Sequence, residues 1–213
     1  MKHHSERVPR KNMRMFNGRP LLHWILETLG RSRYIVETII NTDSEEIASL
    51  AANHFEVTIH MRPEWLCKIT SDEANQILEY DLSLTEGRFF LQTHSTNPLL
   101  TTETVDRSIE AFFGQDTYDS LFSVTAVQKR FFWEDGRPVN HDPEKLIKTQ
   151  ELEPLLEENS CIYIFKRESF AATRNRIGSK PMLFRTDMLE SFDIDEEEDF
   201  KLAESIMQKR VKP

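Results

Sequence analysis

Met1-Lys2-His3-His4-Ser5-Glu6-Arg7-Val8-Pro9-Arg10-Lys11-Asn12, running on to Gly18-Arg19-Pro20-Leu21, is the stretch around which the rest of the chain is organised. Up to Arg19 it holds six Lys or Arg (Lys2, Arg7, Arg10, Lys11, Arg14, Arg19) against one acid, Glu6, on a chain whose net charge is −9. A local charge of about +5 on an acidic protein calls for a local anion. Ser5, Asn12 and loop amides add donors suited to phosphate oxygens. Charge alone leaves a solvated basic arm equally open.

Working outward, 213 residues and 25.1 kDa predict a single domain. Hydrophobic residues make up 38% and charged residues 30%, which places the chain with globular proteins and not with disordered ones. No run of eighteen apolar residues occurs, so no transmembrane helix is expected, and the basic start lacks the apolar core of a signal peptide. Cys67 and Cys161 stand alone; no disulfide and a cytoplasmic location are expected. The pI of about 5.3 argues against a nucleic-acid polymer as partner.

Periodicity predicts a helix over 20–29, with Pro20 in its first turn and Gly30 at its end. A buried strand over 35–40 follows, then a helix capped by Asp43 with Glu46 at capping-box spacing. Strands are expected over 56–61, 88–92, 119–127 and 160–166, and a further one over 182–184. Helices are expected over 72–84, 101–113 and 195–208. Such alternation predicts an α/β fold, a mostly parallel sheet covered on both faces, with ligands beyond the C-terminal strand ends. Between 128 and 158 the pattern breaks at Asp135-Gly136 and several prolines, which predicts a hairpin and loop inserted over the ligand edge and serving as an oligomer contact.

Asp193-Ile194-Asp195 is the second anchor. If extended, it points both carboxylates to one side, and two hard oxygens with phosphate and water suit Mg2+. Equally, acids crowd a helix start to complement its dipole, with Asp195 as cap and Glu196, Glu197 and Glu198 facing solvent. There is no Walker A loop, no Gly-x-Gly-x-x-Gly and no Gly-x-Ser-x-Gly, which argues against P-loop kinases, dinucleotide dehydrogenases and α/β-hydrolases. The seven His lack zinc spacing.

Ser5-x-Arg7-x-Pro9-x-Lys11-Asn12 followed by Gly18-Arg19-Pro20-Leu21 resembles the opening of the sugar-acid cytidylyltransferases, the CMP-N-acylneuraminate and CMP-Kdo synthetases. Their three-layer nucleotide-diphospho-sugar-transferase-like fold is what the resemblance implies, with CTP and a sugar acid as substrates, Mg2+ as cofactor and a homodimer as assembly. It implies that Lys2, Ser5, Arg7, Lys11 and Asn12 wrap the triphosphate. His3 and His4 replace a glycine pair, and Lys2 gives a point charge where the family has a guanidinium fork.

The resemblance continues in order along the chain. Asp193-Ile194-Asp195 through Phe200 matches the family's magnesium signature, which implies Asp193 and Asp195 as metal ligands and Asp193 as catalytic. Arg62-Pro63-Glu64-Trp65-Leu66 matches a base-binding segment, which implies Arg62, with Ser71 nearby at the nucleotide. His94 falls where the family has a sugar-contacting Gln, with Thr96 close by; Asn159 and Tyr163 match the strand lining the sugar pocket. A cation usual just before that strand is absent, so Lys129, Arg130 and Arg176 are candidates for the sugar carboxylate. A short apolar strand precedes the family's phosphate loop at mid-sheet. This chain starts at Met1 inside the loop, so the first central strand is expected to be missing and a slot to remain. The resulting expectation is transfer of CMP from CTP to a nonulosonate-like acid with release of pyrophosphate. The alternatives are a nucleotide-binding or interaction protein without catalysis, and a nucleotidyltransferase for another acceptor.

Overall fold

Asn17 and Gly18 both take positive φ, the geometry of a two-residue hairpin loop, so β1 (Met15–Phe16) folds back on β2 (Arg19–Pro20). That hairpin sets the basic loop directly ahead of α1 (Leu21–Gly30), whose Leu21, Leu22, Ile25, Leu26 and Leu29 are all buried. The computed structural model describes residues 1–2, 5, 7–70 and 73–211.

β3 (Ile39–Thr42) and β4 (Thr58–Met61) pair in parallel across α2 (Glu45–Ala52). The strand expected from residue 35 starts only at Ile39. Residues 35–38 border an open groove and gain little pairing beyond Thr58 N–H to Thr38 O at 2.9 Å. The cap of α2 is Ser44, whose extended backbone lets Oγ accept from Ile47 N–H at 3.3 Å, one position after the predicted Asp43.

A second sheet runs β5-β7-β6-β8, made of β5 (Phe89–Gln92), β6 (Ser120–Val127), β7 (Leu155–Lys166) and β8 (Pro181–Arg185). β8 is parallel to β6, but β7 is antiparallel to both its neighbours. The sheet is therefore mixed, with β5, β6 and β8 running the same way and β7 alone against them. The insertion is the cause: the chain leaves β6, turns at Gly136 (φ 85°) within a Phe132–Pro138 bridge, and returns alongside β6. Because β7 begins at Leu155, the insertion ends before residue 158. Phe132, Trp133 and Leu146 on it are exposed.

Adjacent residues of β7 face opposite ways. Ile164 joins a core with α1 and with Val105, Ile109 and Phe112 of α5 (Thr102–Phe113). Phe165 meets Leu82 of α4 (Asn75–Ser83) and Phe170 of α6 (Arg167–Thr173) on the other side. Helices thus cover both faces, as expected. α3 (Glu64–Cys67) is a single turn after Arg62-Pro63.

A separate core unites the two ends of the chain. Phe200, Ala203 and Met207 of α7 (Glu197–Val211) and Ile194 pack with Val8, Phe16 and Leu21. No helix among the described residues is long and apolar enough to cross a membrane, and Cys67 and Cys161 are free thiols.

Candidate active site

Burying Val8 pins the basic loop, and Arg10 at φ 54° turns it into a 3-10 turn, Lys11–Met13. Lys11 is drawn inward, with its side chain 11% exposed. Its ammonium donates to Ile194 O between the two aspartates and lies 3.9 Å from Asp195 Oδ1. Burial lowers the Lys11 pKa, against the pull of the Asp193 and Asp195 charges. Asp193 shifts the other way. Although its side chain reaches solvent, surrounding protein partly desolvates the carboxylate, and that together with the Asp195 charge raises its pKa. A hydrogen bond from the Thr96 hydroxyl and the charge of Lys11 limit the rise. Ile194 N–H donates to Thr96 O at 2.9 Å, which fixes the aspartates beside the end of β5.

Arg7 reaches Asp195 Oδ1 at 2.7 Å and Glu196 Oε1 at 3.0 Å; both pairs are about half exposed and contribute little to stability. Arg14 grips Glu197 with both terminal nitrogens, at 2.5 and 2.7 Å, and lies over the Phe200 ring. Glu196 and Glu197 therefore hold the loop's arginines and do not simply face solvent. Nor is Asp195 the helix cap: Asp199 Oδ2 accepts from the N–H groups of Asp195 (3.1 Å) and Glu196 (2.8 Å). Asp195 is left to pair with Arg7 and Lys11.

Asn12 is buried and fully engaged. Its Nδ2 donates to Lys2 O at 3.0 Å, and its Oδ1 accepts from Ser95 Oγ at 2.6 Å, so it ties the loop to the segment after β5. Lys2 is exposed and Ser5 half-buried. Ser71 lies outside the described residues, as do His3, His4 and Glu6.

Arg62 stands at the end of β4. Its Nε donates to Asn41 Oδ1 at 2.7 Å, while Asn41 Nδ2 donates to Asp81 Oδ1 at 2.8 Å and His60 Nδ1 bonds the same oxygen at 2.8 Å. Among the described residues the guanidinium is bonded through Nε alone, and its two terminal nitrogens take no protein partner. Sequence reasoning missed Asn41 and Asp81 as supports. Asn41 reads as part of the cap of the following helix, and Asp81 is a mid-helix acid with no local pattern to mark it.

Tyr163 is fully buried, and its hydroxyl donates to Glu158 and shares a 3.1 Å bond with Ser160 Oγ. Burial and that carboxylate push its pKa up to about 12. Arg176 stacks 3.6 Å from the Tyr163 ring centroid and donates to Gln92 Oε1 at 3.0 Å. Of the three cations proposed for a carboxylate, Arg176 alone reaches this pocket: Arg130 bonds Ile147 O and Thr149 within the insertion, and Lys129 is exposed. Gln92, not singled out from the sequence, is the glutamine that touches Arg176. Asn159 is consumed by the sheet. It donates to Thr125 Oγ1 (2.9 Å) and Thr186 Oγ1 (2.7 Å) and accepts from Ser123 Oγ (2.6 Å) and Cys161 N–H (3.2 Å). As arranged, it latches β6, β7 and the segment after β8 and offers no free donor to a ligand.

His94 lies where these groups converge. Burial, then the charges of Arg176, the Met1 amino group and Lys11, lowers its pKa to about 4. Its Nε2 is buried without a partner among the described residues. The unfolded chain takes up a proton near pH 6.5 that the folded chain refuses until about pH 4. Unfolding free energy should therefore fall by about 3 kcal/mol as pH drops through that window. In His94→Gln the fall should be smaller by that amount. Parallel stability–pH curves for the two proteins would refute the assignment.

Lys11 of the N-terminal loop thus lies with Asp193 and Asp195 of the C-terminal segment, the charges of Lys11 and Arg176 both reach His94, and that of Arg62 reaches the Met1 amine. Residues 1–212 match the Cytidylyltransferase family. The chain belongs to that family. This cytidylyltransferase is 27% identical over 216 residues to the CMP-N,N'-diacetyllegionaminic acid synthase of Legionella pneumophila, covering 96% of this chain and 92% of that one. It is 26% identical over 208 residues to N-acylneuraminate cytidylyltransferase A of Danio rerio, covering 94% of this chain and 47% of the longer fish protein. Among solved structures, the fold of the cytidylyltransferase is similar to that of CMP:2-keto-3-deoxy-manno-octonic acid synthetase complexed with CTP. The TM-score is 0.70 at 10% identity, over 99% of this chain and 97% of the other.

Proposed function

We propose that this cytidylyltransferase joins CMP, taken from CTP, to the anomeric hydroxyl of a nonulosonate-like sugar acid and releases pyrophosphate. The observation that carries the proposal is the seating of Lys11 between Asp193 and Asp195, which brings the basic loop and the acidic segment together. Relatives named for N-acylneuraminate and for diacetyllegionaminic acid support the acceptor class.

In this reading the triphosphate lies along the loop. Lys2, Arg7 and Lys11 offset charge on the departing pyrophosphate, Ser5 adds a hydroxyl donor, and Asn12 keeps the loop in place. Arg62, held by Asn41, meets the cytosine ring, whose carbonyl and ring nitrogen match its two terminal nitrogens. The carboxylate of the sugar acid faces the fork of Arg176, which Gln92 and the Tyr163 ring orient. Holding the acceptor hydroxyl in line with the α-phosphorus supplies much of the rate.

Asp195 adds to the cost of charging Asp193, and the two neighbouring carboxylates are a fitting donor pair for a hard cation. Among the described residues no set of three or more His, Cys, Asp or Glu could hold a metal, so phosphate oxygens and water would complete the shell. Bound there by Asp193 and Asp195, Mg2+ would neutralise charge on the α-phosphate.

The test is pyrophosphate release from CTP across a panel of sugar acids, with Arg176→Lys alongside. Turnover with a nonulosonate is expected. In the variant, KM for that acid should rise 10–100-fold and KM for CTP should hold. CTP binding without turnover on any acid would leave only a nucleotide-binding protein. Exposed Phe132, Trp133 and Leu146 on the insertion suit a homodimer, and light scattering on the same sample should give the mass of two chains.

A further inference from the structure

Residues 174–180 join α6 to β8 and carry Arg176. A side chain on a loop is only as well placed as its backbone, and this backbone is gripped from the strand beside it. Asp119, just ahead of β6, accepts from Lys180 N–H through Oδ1 at 3.0 Å and from Ser179 N–H through Oδ2 at 2.9 Å. Ser120 Oγ accepts from Gly178 N–H at 2.8 Å, and Asp119 N–H donates back to Lys180 O at 3.1 Å. Ser120 Oγ also donates to Asp119 Oδ1 at 3.1 Å, which orients the hydroxyl. Successive loop amides thus end on two adjacent side chains, and those on the carboxylate are charge-assisted.

Gly178 is what lets the loop close on Asp119. A Cβ at that position would stand 2.3 Å from Asp119 Oδ1 and 2.6 Å from its Cγ. The aspartate is short and bonded through both oxygens, so it cannot yield without giving up the amides. β8 does not need this latch to stay in the sheet, because paired residues from Ser120–Pro181 to Val124–Arg185 already join it to β6. The latch instead fixes the backbone immediately after Arg176. Before Arg176 the chain is tied as well: Arg174 turns at φ 56° with its guanidinium on Glu79 of α4, and Ile177 N–H donates to Asn175 Oδ1 at 3.0 Å.

From this loop the Arg176 side chain reaches the Tyr163 ring and Gln92. Glu158 Oε1 stands 4.0 Å from Arg176 Nη2. A fork free to move would close on that carboxylate, in competition with the carboxylate of an acceptor.

We propose that Asp119 and Gly178 are positioning residues for Arg176: together they hold its fork between Tyr163 and Gln92 and so set the affinity for the sugar acid. The inference rests on the reading that Arg176 meets the acid's carboxylate, and its test therefore separates the placement of the fork from its use.

Asp119→Asn leaves one oxygen for two amides, and Gly178→Ala drives the carboxylate and the loop apart. Placement is read without substrate, by NMR of protein carrying isotope-labelled arginine. The Arg176 Nε–H signal, identified by its loss in Arg176→Lys, should lie upfield because the Tyr163 ring is 3.6 Å from the guanidinium carbon. In both variants it should return toward the signals of exposed arginines. Use is read by turnover: KM for the acid should rise at least about fivefold in each variant, with KM for CTP held within about twofold. In an Arg176→Lys background, Gly178→Ala should move KM for the acid less than about twofold, since both changes act on one interaction. A signal that stays upfield in both variants overturns the proposal even if both proteins melt lower, for the latch would then brace the loop alone. A displaced signal with KM for the acid unchanged upholds the placement and overturns instead the assignment of the carboxylate to Arg176.

Discussion

Asp193→Asn is expected to cut pyrophosphate release at least a thousandfold, about 4 kcal/mol in the barrier, while the protein melts within about two degrees of the parent or slightly higher. The two halves of that expectation share one cause. Asp193 carries its charge against desolvation and against Asp195, so the folded protein gains nothing by keeping it ionised. Asn has the same shape, and its carbonyl oxygen can still accept from Thr96. What goes is the negative charge, and with it the proposed hold on Mg2+. Raising Mg2+ should not restore the rate. Turnover within tenfold of the parent would remove Asp193 from the reaction and the metal with it.

Lys11→Met is expected to lower kcat a hundred- to a thousandfold, with a smaller rise in KM for CTP. Met retains the length and apolar stem of Lys but brings no charge. Lys11 is largely buried and poorly solvated, so its field reaches a bound phosphate with little screening. Charge grows on pyrophosphate as it leaves, and a fixed cation therefore favours the transition state over bound CTP. A change in KM alone, with kcat unaltered, would recast Lys11 as a binding group only. Arg7 offers a contrast: its pairs are about half exposed, so the same loss of charge there should cost less.

The elements that came through from the sequence are those with a strong local signature. α1 and α5 follow their apolar stripes, and the basic loop and Asp193-Ile194-Asp195 meet as their motifs implied. Other features depend on distant groups. The direction of β7 is set by how the insertion returns, not by the composition of the strand, so a mixed sheet reads like a parallel one. Asn159 matched a pocket motif, yet Ser123, Thr125 and Thr186, brought alongside by β6 and the end of β8, take all its bonds. Arg62 was readable, but Asn41 and Asp81, which aim it, were not; a side chain's orientation is decided by neighbours that sequence spacing does not reveal. The same holds for Gln92, legible only as a strand residue until Arg176 arrives from far along the chain.

The shared core of Val8 and Phe16 with Ile194, Phe200 and Ala203 has a temporal side. Lys11 and the carbonyl it bonds are 183 positions apart in the chain. At roughly 5–20 residues per second, the basic loop leaves the ribosome some 10–40 s before its acidic counterpart is made. Throughout that interval Arg7, Lys11 and Arg14 stand on the nascent chain without the C-terminal groups that hold them in the folded protein. The basic end of the chain is thus made first and is paired only when translation supplies the closing segment.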